Sequence, residues 1–117
     1  MKFSIVIANF NSGTLLKQCL ESVFSQNYTD YEVIMADADS SDESKQILLE
    51  YKDKFAWWCS EKDKGQSDAF NKGFAHAKGD FFFWLNADDL LLPGALKAAG
   101  EYLDNHPKCK WLTFDTI

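Results

Sequence analysis

The chain has 117 residues, 46% of them apolar and 15% aromatic, with two prolines; this describes a single domain that buries roughly two-thirds of the surface it would expose unfolded, and it excludes a disordered chain. A formal charge of −6 repels phosphate backbones and anionic membrane surfaces, so no nucleic-acid partner is expected. All twelve basic residues are Lys and none is Arg, so a phosphate ligand would lean on metal, backbone N–H groups and Lys instead of a bidentate guanidinium.

Phe3 to Ala8 is a β-rich apolar run closed by the turn formers Asn9-Phe10-Asn11-Ser12-Gly13, which predicts strand one and its exit loop. From Thr14, Leu15, Leu16, Cys19, Leu20, Val23 and Phe24 recur at helical spacing, with Ser12 or Thr14 as N-cap and an end near Gln26-Asn27. Tyr31 to Ala36 is a second strand that runs into Asp37, Asp39 and Asp42. Asp42 or Ser41 can cap a helix with Ile47, Leu48 and Tyr51 inward and Lys52 and Lys54 at its end. Phe55 to Cys59 reads as a short strand three, left through the polar stretch Ser60 to Gln66. Ala69, Phe70, Gly73, Phe74 and Ala77 then resume helical spacing up to Gly79.

The next stretch carries the chemistry. Phe81 to Leu85 is five apolar residues long, the length of one fully buried strand, and it stops on Asn86, Asp88 and Asp89. Neighbouring carboxylates repel, so a site that keeps both ionised supplies a cation or strong donors. If the extended conformation persists, Asn86 and Asp88 point the same way and share one hard ion or its ligand. The other reading is that Asp88 and Asp89 cap the helix that Pro93 announces, which runs to about Asn105 with Leu96, Ala99, Tyr102 and Leu103 inward. Lys110 to Phe114 reads as strand five.

This β-α-β-α-β-α-β-α-β order predicts an α/β fold of three layers, with helices on both faces of a mainly parallel sheet, as one domain over residues 1–117. Every strand-to-helix loop then lies on the carboxyl edge, where such sheets bind ligands. Loops 9–13, 37–42, 60–66 and 86–92 meet there, and that rim is the expected site.

Cys19, Cys59 and Cys109 are widely spaced and lack a C-x-x-C pair, so they read as reduced, mostly buried thiols. The apolar N-terminus is too short for a signal-peptide core or a membrane span. A cytoplasmic location is expected, with at most a peripheral place on the inner face of a membrane. His76 reads as a boundary or surface residue and His106, before Pro107, as a helix-end residue. Trp57, Trp58 and Trp84 are candidates for stacking on sugar or base, although adjacent Trp57 and Trp58 must face opposite sides of a strand. Lys62 and Lys64 either contact phosphate or belong to a solvated loop.

Four stretches in order resemble the inverting glycosyltransferases of family 2 with the GT-A fold. They are Phe3 to Asn11; Leu20 to Gln26; Ala36 to Asp42; and Ser60-Glu61-Lys62-Asp63-Lys64-Gly65-Gln66-Ser67-Asp68-Ala69-Phe70-Asn71-Lys72-Gly73 followed by Leu85-Asn86-Ala87-Asp88-Asp89. The resemblance implies a site for a nucleotide-diphosphate sugar, a UDP-sugar being favoured, and transfer with inversion to a glycan or lipid-linked acceptor in cell-surface polysaccharide or glycan synthesis. By it, Asn9 and Asn11 line the pocket floor beside the nucleoside and Asp37 takes a hydrogen bond from the base or its neighbourhood. Asp63, Gly65 and Asn71 wall the sugar-phosphate. Asp88 holds Mg²⁺ or Mn²⁺ on the diphosphate, as the second acid of an Asp-x-Asp motif whose first acid is here Asn86. Asp39 stands where the family commonly has Gly, and Ala38 where many members have a second Asp.

A carboxylate general base is expected beyond Ile117, which makes this chain the donor-binding half of a transferase, weakly active or inactive alone. Two other readings stay open: a non-catalytic nucleotide-sugar-binding module, and a receiver-type signalling domain with an Mg²⁺-binding acidic cluster. The latter needs an acidic pair after strand one, where this chain has Asn9-Phe10-Asn11. The unfinished sheet edge after strand five predicts self-association into a homo-oligomer.

Overall fold

The β-branched and aromatic runs pair into one sheet, and the amphipathic segments between them cover it. The computed structural model describes residues 2–110. Its elements are β1 (Phe3–Asn9), α1 (Thr14–Phe24), β2 (Tyr31–Asp37), α2 (Ser44–Tyr51) with a 3-10 turn behind it (Lys52–Lys54), β3 (Trp57–Ser60), α3 (Gln66–Phe74), β4 (Phe81–Asn86) and α4 (Ala95–Asn105). All pairings are parallel and the spatial order is β3-β2-β1-β4. The expected three-layer α/β fold is the observed one. The receiver-type reading fails on this order, because such domains place their strands 2-1-3-4-5. The fifth strand expected at Lys110 to Phe114 lies outside the described residues from 111 onwards.

Crossover handedness decides which helix covers which face. The chain steps one way from β1 to β3 and then returns past β1 to β4, so right-handed connections put α3 on the opposite face from α1 and α2. The large core accordingly joins Ile5 and Ile7 of β1 and Met35 of β2 to Leu16 and Leu20 of α1, Leu48 of α2 and Leu96 and Leu103 of α4. The smaller one sets Val6 and Ile34 against Phe70 of α3. There α3 lies so close to β1 that a Cβ on Gly73 would stand 2.3 Å from Val6 Cγ1.

Four local expectations are corrected. β4 is an edge strand among the described residues, and its α3 side is open: Phe82 is 49% and Trp84 57% exposed. Five apolar residues look alike in a central and an edge strand; only the strand order separates them. β3 begins two residues later than read, because Phe55 fills the large core from outside the strand. α1 has no side-chain cap at Gly13, so neither Ser12 nor Thr14 serves there. The N-cap of α2 is Glu43, without a side-chain cap; Asp42, one residue before it, accepts the Ser44 N–H on Oδ1 at 2.9 Å, and hydrogen bonds from Ser44, its side chain first, keep the Asp42 carboxyl below the usual range. No helix among the described residues is long and apolar enough to cross a membrane.

Candidate functional site

The carboxyl ends of the four strands are level. Asp37 pairs with Asn9 on one side and Ser60 on the other, and Ala8 pairs with Asn86. Parallel register thus turns four loops far apart in sequence into neighbours along one rim.

One buried carboxylate ties three of them together. Asp37 is 1% exposed. Its Oδ1 accepts from Asn9 Nδ2 at 2.7 Å and Ser40 Oγ at 2.6 Å, and its Oδ2 from the Ser40 N–H at 2.9 Å and Ser60 Oγ at 2.7 Å. Four donors occupy the four lone-pair sites of the carboxylate. Of the two donors expected for Asp37, the base or its neighbourhood, the four bonds come from neighbouring residues, and the carboxylate lies beneath the cleft as a scaffold with no acceptor capacity left. Ser40 Oγ relays the tie by accepting the Asn11 N–H at 2.9 Å. Asn11 in turn accepts the N–H of Ser41 at 2.8 Å, which holds the β1 and β2 exit loops together. Asn11 and Asp39 both adopt left-handed backbone, at φ 49 and 57, a conformation that short polar side chains tolerate better than most. Asp39 pairs with Lys45 at 2.6 Å, and that hydrogen bond lowers the Asp39 carboxyl and raises the Lys45 ammonium.

The loop after β3 is ordered by its own acids. Asp63 Oδ1 accepts the Gly65 N–H and Asp68 Oδ2 the Lys64 N–H, each at 2.9 Å. Gly65 has φ 120, a backbone state that a side chain would strain. The loop after β4 is a turn: Asp89 N–H donates to the Asn86 carbonyl at 2.9 Å. The extended conformation therefore does not persist, and Asn86 and Asp88 do not share one strand face as expected. Asn86 Oδ1 instead accepts from Gln66 Nε2.

These loops enclose a cleft of about 890 Å³ over the end of β1. Asn9, Asn11, Asp39, Asp63, Gly65, Asn86 and Asp88 all line it. Asn71 does not; it is the sixth residue of α3, on an exposed face, where the helical turn carries it away from the rim. Trp57, Trp58 and Trp84 are also outside the lining. Trp58 packs on the large core, Trp57 stacks on the exposed His76 ring at 3.8 Å, and Trp84 meets Phe70 and Phe74. Lys62 lines the cleft and Lys64 does not.

Sequence reasoning gave no role to Phe10, Ser40, Ser60 and Gln66. Phe10 stands 63% exposed on the cleft wall, and exposure of so large an apolar group is the signal that only coordinates supply. The serines read as turn formers, and nothing in the sequence shows that Asp37 lies between them.

Among the described residues no group of three or more His, Cys, Asp or Glu side chains is placed to hold a metal. A hard divalent cation does not need one, since it is commonly held by one or two carboxylates plus ligand phosphates; Asp88 on the cleft wall fits that pattern. Cys19 and Cys59 carry free thiols. Cys19 lies under the site, its Sγ 3.8 Å from the Asn86 carbonyl. Burial, and after it the charges of Asp89 and Asp88, push its thiol up to about 12, which leaves it inert.

Comparison with known proteins agrees with this geometry. The model of the family described as "Glycosyl transferase family 2" matches residues 4–115. An uncharacterized glycosyltransferase of Nostoc sp. is 32% identical over 104 residues, covering 86% of this chain and 32% of the relative. The crystal structure of Staphylococcus aureus TarS 1–349 in complex with UDP-GlcNAc superposes with a TM-score of 0.82 at 27% identity, over 92% of this chain and 32% of that one. TarS is described as a poly(ribitol-phosphate) beta-N-acetylglucosaminyltransferase. A Pyrobaculum calidifontis mannosyltransferase solved with GDP-Man and Mn²⁺ shares the fold, with a TM-score of 0.78 at 22% identity over 87% of this chain and 32% of that one. The chain thus spans about a third of the Nostoc relative and of the two crystallised chains, and 19% of full-length TarS.

Proposed function

Because the chain belongs to glycosyl transferase family 2, we propose that its cleft is the donor site of a sugar transferase that takes a nucleotide-diphosphate sugar and passes the sugar to a glycan or lipid-linked acceptor with inversion. The observation that carries this reading is the cleft itself. It combines a polar floor at Asn9 and Asn11, an aromatic face at Phe10, a glycine turn with Lys62 beside it, and an acid at Asp88. Phe10 and Asn11 suit a nucleoside, one by stacking and the other by hydrogen bonding. Lys62 and the free N–H groups at the start of α3 suit the diphosphate.

Cleaving the glycosidic bond places negative charge on the leaving diphosphate. Asp88 would hold Mg²⁺ or Mn²⁺ there together with diphosphate oxygens, and a cation so bound neutralises that charge. Asp88 is in this reading a leaving-group residue and takes no proton from the acceptor. A UDP-sugar is the favoured donor and cell-surface glycan synthesis the favoured setting, in keeping with the UDP-GlcNAc complex and the description of TarS. The free thiols of Cys19 and Cys59 suit a reducing, cytoplasmic location.

Calorimetric titration of the chain with UDP, GDP and CDP, each with Mn²⁺ and with chelator, tests the proposal. Binding of one nucleotide that strengthens with Mn²⁺ and loses that gain in Asp88→Ala is the expected result. Nucleotide affinity that is indifferent to both the metal and Asp88 would overturn it. Donor binding without sugar transfer to any acceptor would favour the non-catalytic module.

A further inference from the structure

The stretch Leu20 to Gln26 belongs to the resemblance, yet none of its residues lines the cleft. Its polar members instead meet the segment that carries Asp88. Cys19, Ser22 and Gln26 follow one another at helical spacing, so they form a single stripe along α1 and the turn beyond it. Cys19 Sγ lies 3.8 Å from the Asn86 carbonyl, Ser22 Oγ accepts the Leu91 N–H at 3.1 Å, and Gln26 Nε2 donates to the Leu92 carbonyl at 2.9 Å. The Ser22 hydroxyl is itself aimed by donating to the Cys19 carbonyl at 2.6 Å. Gln26 Nε2 also donates to the Ser22 carbonyl at 3.0 Å, and Gln26 Oε1 accepts the Leu96 N–H at 3.2 Å. Carbonyls only accept and a backbone N–H only donates, so these three backbone partners admit one orientation of the Gln26 amide. α4 begins behind Gly94 without a side-chain cap of its own, and Gln26 thus satisfies an orphan donor of its first turn from another element.

These ties leave the acidic turn little freedom. Ala87 is 2% and Leu91 3% exposed, and the Ala87 N–H donates to the Ala8 carbonyl at 3.0 Å. Asp88 stands exposed on a span of three residues between those two buried anchors. The first anchor is fixed by the sheet. The second lies between β4 and α4, where Ser22 and Gln26 hold the backbone.

We infer that Ser22 and Gln26 are positioning residues that set where Asp88 stands over the cleft, and through it how much a divalent cation strengthens nucleotide binding. The inference rests on the donor-site reading of the cleft. Asn9 and Asn11, at the exit of β1, are held from the β2 side by Asp37 and Ser40. The metal-free part of the affinity is therefore independent of Ser22 and Gln26, and the metal-dependent part is not.

The native chain, Ser22→Ala, Ser22→Thr, Gln26→Ala and Asp88→Ala, each confirmed folded by thermal melting, are titrated with UDP in chelator and in Mn²⁺. Ser22→Ala and Gln26→Ala should bind UDP in chelator as the native chain does and lose about tenfold of the gain that Mn²⁺ brings, the scale of one contact to a charged group. Thr in a helix can bond the carbonyl three residues back as Ser22 does, so Ser22→Thr should retain the native gain. Combined with Asp88→Ala, neither Ala substitution should change the metal dependence further, because the group it positions is gone. A full Mn²⁺ gain in both Ser22→Ala and Gln26→Ala would overturn the inference. An equal loss in chelator and in Mn²⁺ would overturn it too, since that marks a general loss of structure.

A native chain that binds none of UDP, GDP and CDP defeats the donor-site reading instead. The tether is then decided in the free protein by hydrogen exchange. The Asp89 N–H, bonded to the Asn86 carbonyl at 2.9 Å, should lose protection in both Ala variants while the Ala87 N–H keeps its own. Unchanged protection at Asp89 means that the turn needs neither side chain, and it refutes the positioning.

Discussion

Replacing Asp37 by Ala should destabilise the fold more than any other single change on the rim. The native carboxylate accepts four hydrogen bonds in a site that is 1% exposed. Three of its donors can find relief, since the hydroxyls of Ser40 and Ser60 rotate and Asn9 Nδ2 keeps a second partner in Ser40 Oγ at 3.2 Å. The backbone N–H of Ser40 cannot, and a stranded buried donor costs about 1–3 kcal/mol, to which the loss of the other three bonds adds about 1 kcal/mol each, the usual net worth of a hydrogen bond. The sum is about 4–6 kcal/mol, a large part of the 5–15 kcal/mol that roughly spans the stability of a domain. Asp37→Asn keeps one oxygen of the same shape and should cost about half as much. Urea unfolding followed by far-ultraviolet circular dichroism gives both values. If Asp37→Ala shifts stability by less than about 1 kcal/mol, or if the Asn variant is the worse of the two, the carboxylate is not what ties the loops together.

Other outcomes follow from particular contacts. Gly73→Ala drives a Cβ to 2.3 Å from Val6 Cγ1 and should cost about 1–3 kcal/mol by overpacking; a Val6→Ala background should recover part of it, and additive losses in the double-mutant cycle would refute the close approach. Glu32 loses solvation, which raises its carboxyl, but the Ser4 hydroxyl, the Lys78 N–H and the charges of Lys2 and Lys78 together bring it below the ordinary 4.5. Its contribution to stability is thus present above about pH 4.5 and is lost as pH falls through the lowered folded value. Glu32→Gln should flatten the melting temperature across that acid range, and an unchanged acid slope would contradict the contact. Trp84 and Phe82 lie open, without a charge between them, on a strand that is an edge among the described residues, an arrangement that invites pairing with a second copy. Sedimentation should show the native chain self-associating with concentration and Trp84→Lys shifting it towards monomer; a native chain that is monomeric throughout would dispose of the idea.

Much of the fold was legible before any coordinates, for reasons local to the chain. Apolar runs of strand length alternate with helical periodicity, so the α/β order and the gathering of four loops on one rim follow from the right-handed crossover. Asn86 and Asp88 stand out because acid at a strand end is written in residue types, whereas Asn9, Asn11, Asp39, Asp63 and Gly65 are singled out by the resemblance to family 2 glycosyltransferases; all seven line the cleft. Tertiary structure decided the rest. Whether Asp37 faces a ligand or lies under it depends on Ser40 and Ser60, which only parallel pairing brings to its side. Asn71 shares a motif with Asp63 and Gly65 in sequence, yet the turn of α3 takes it off the rim. The five apolar residues of β4 fit a central strand as well as an edge, and Gln66 meets Asn86 across twenty residues. Periodicity reports which face of an element is apolar, whereas partners are set by the order and register in which elements meet, and those are properties of the whole chain at once.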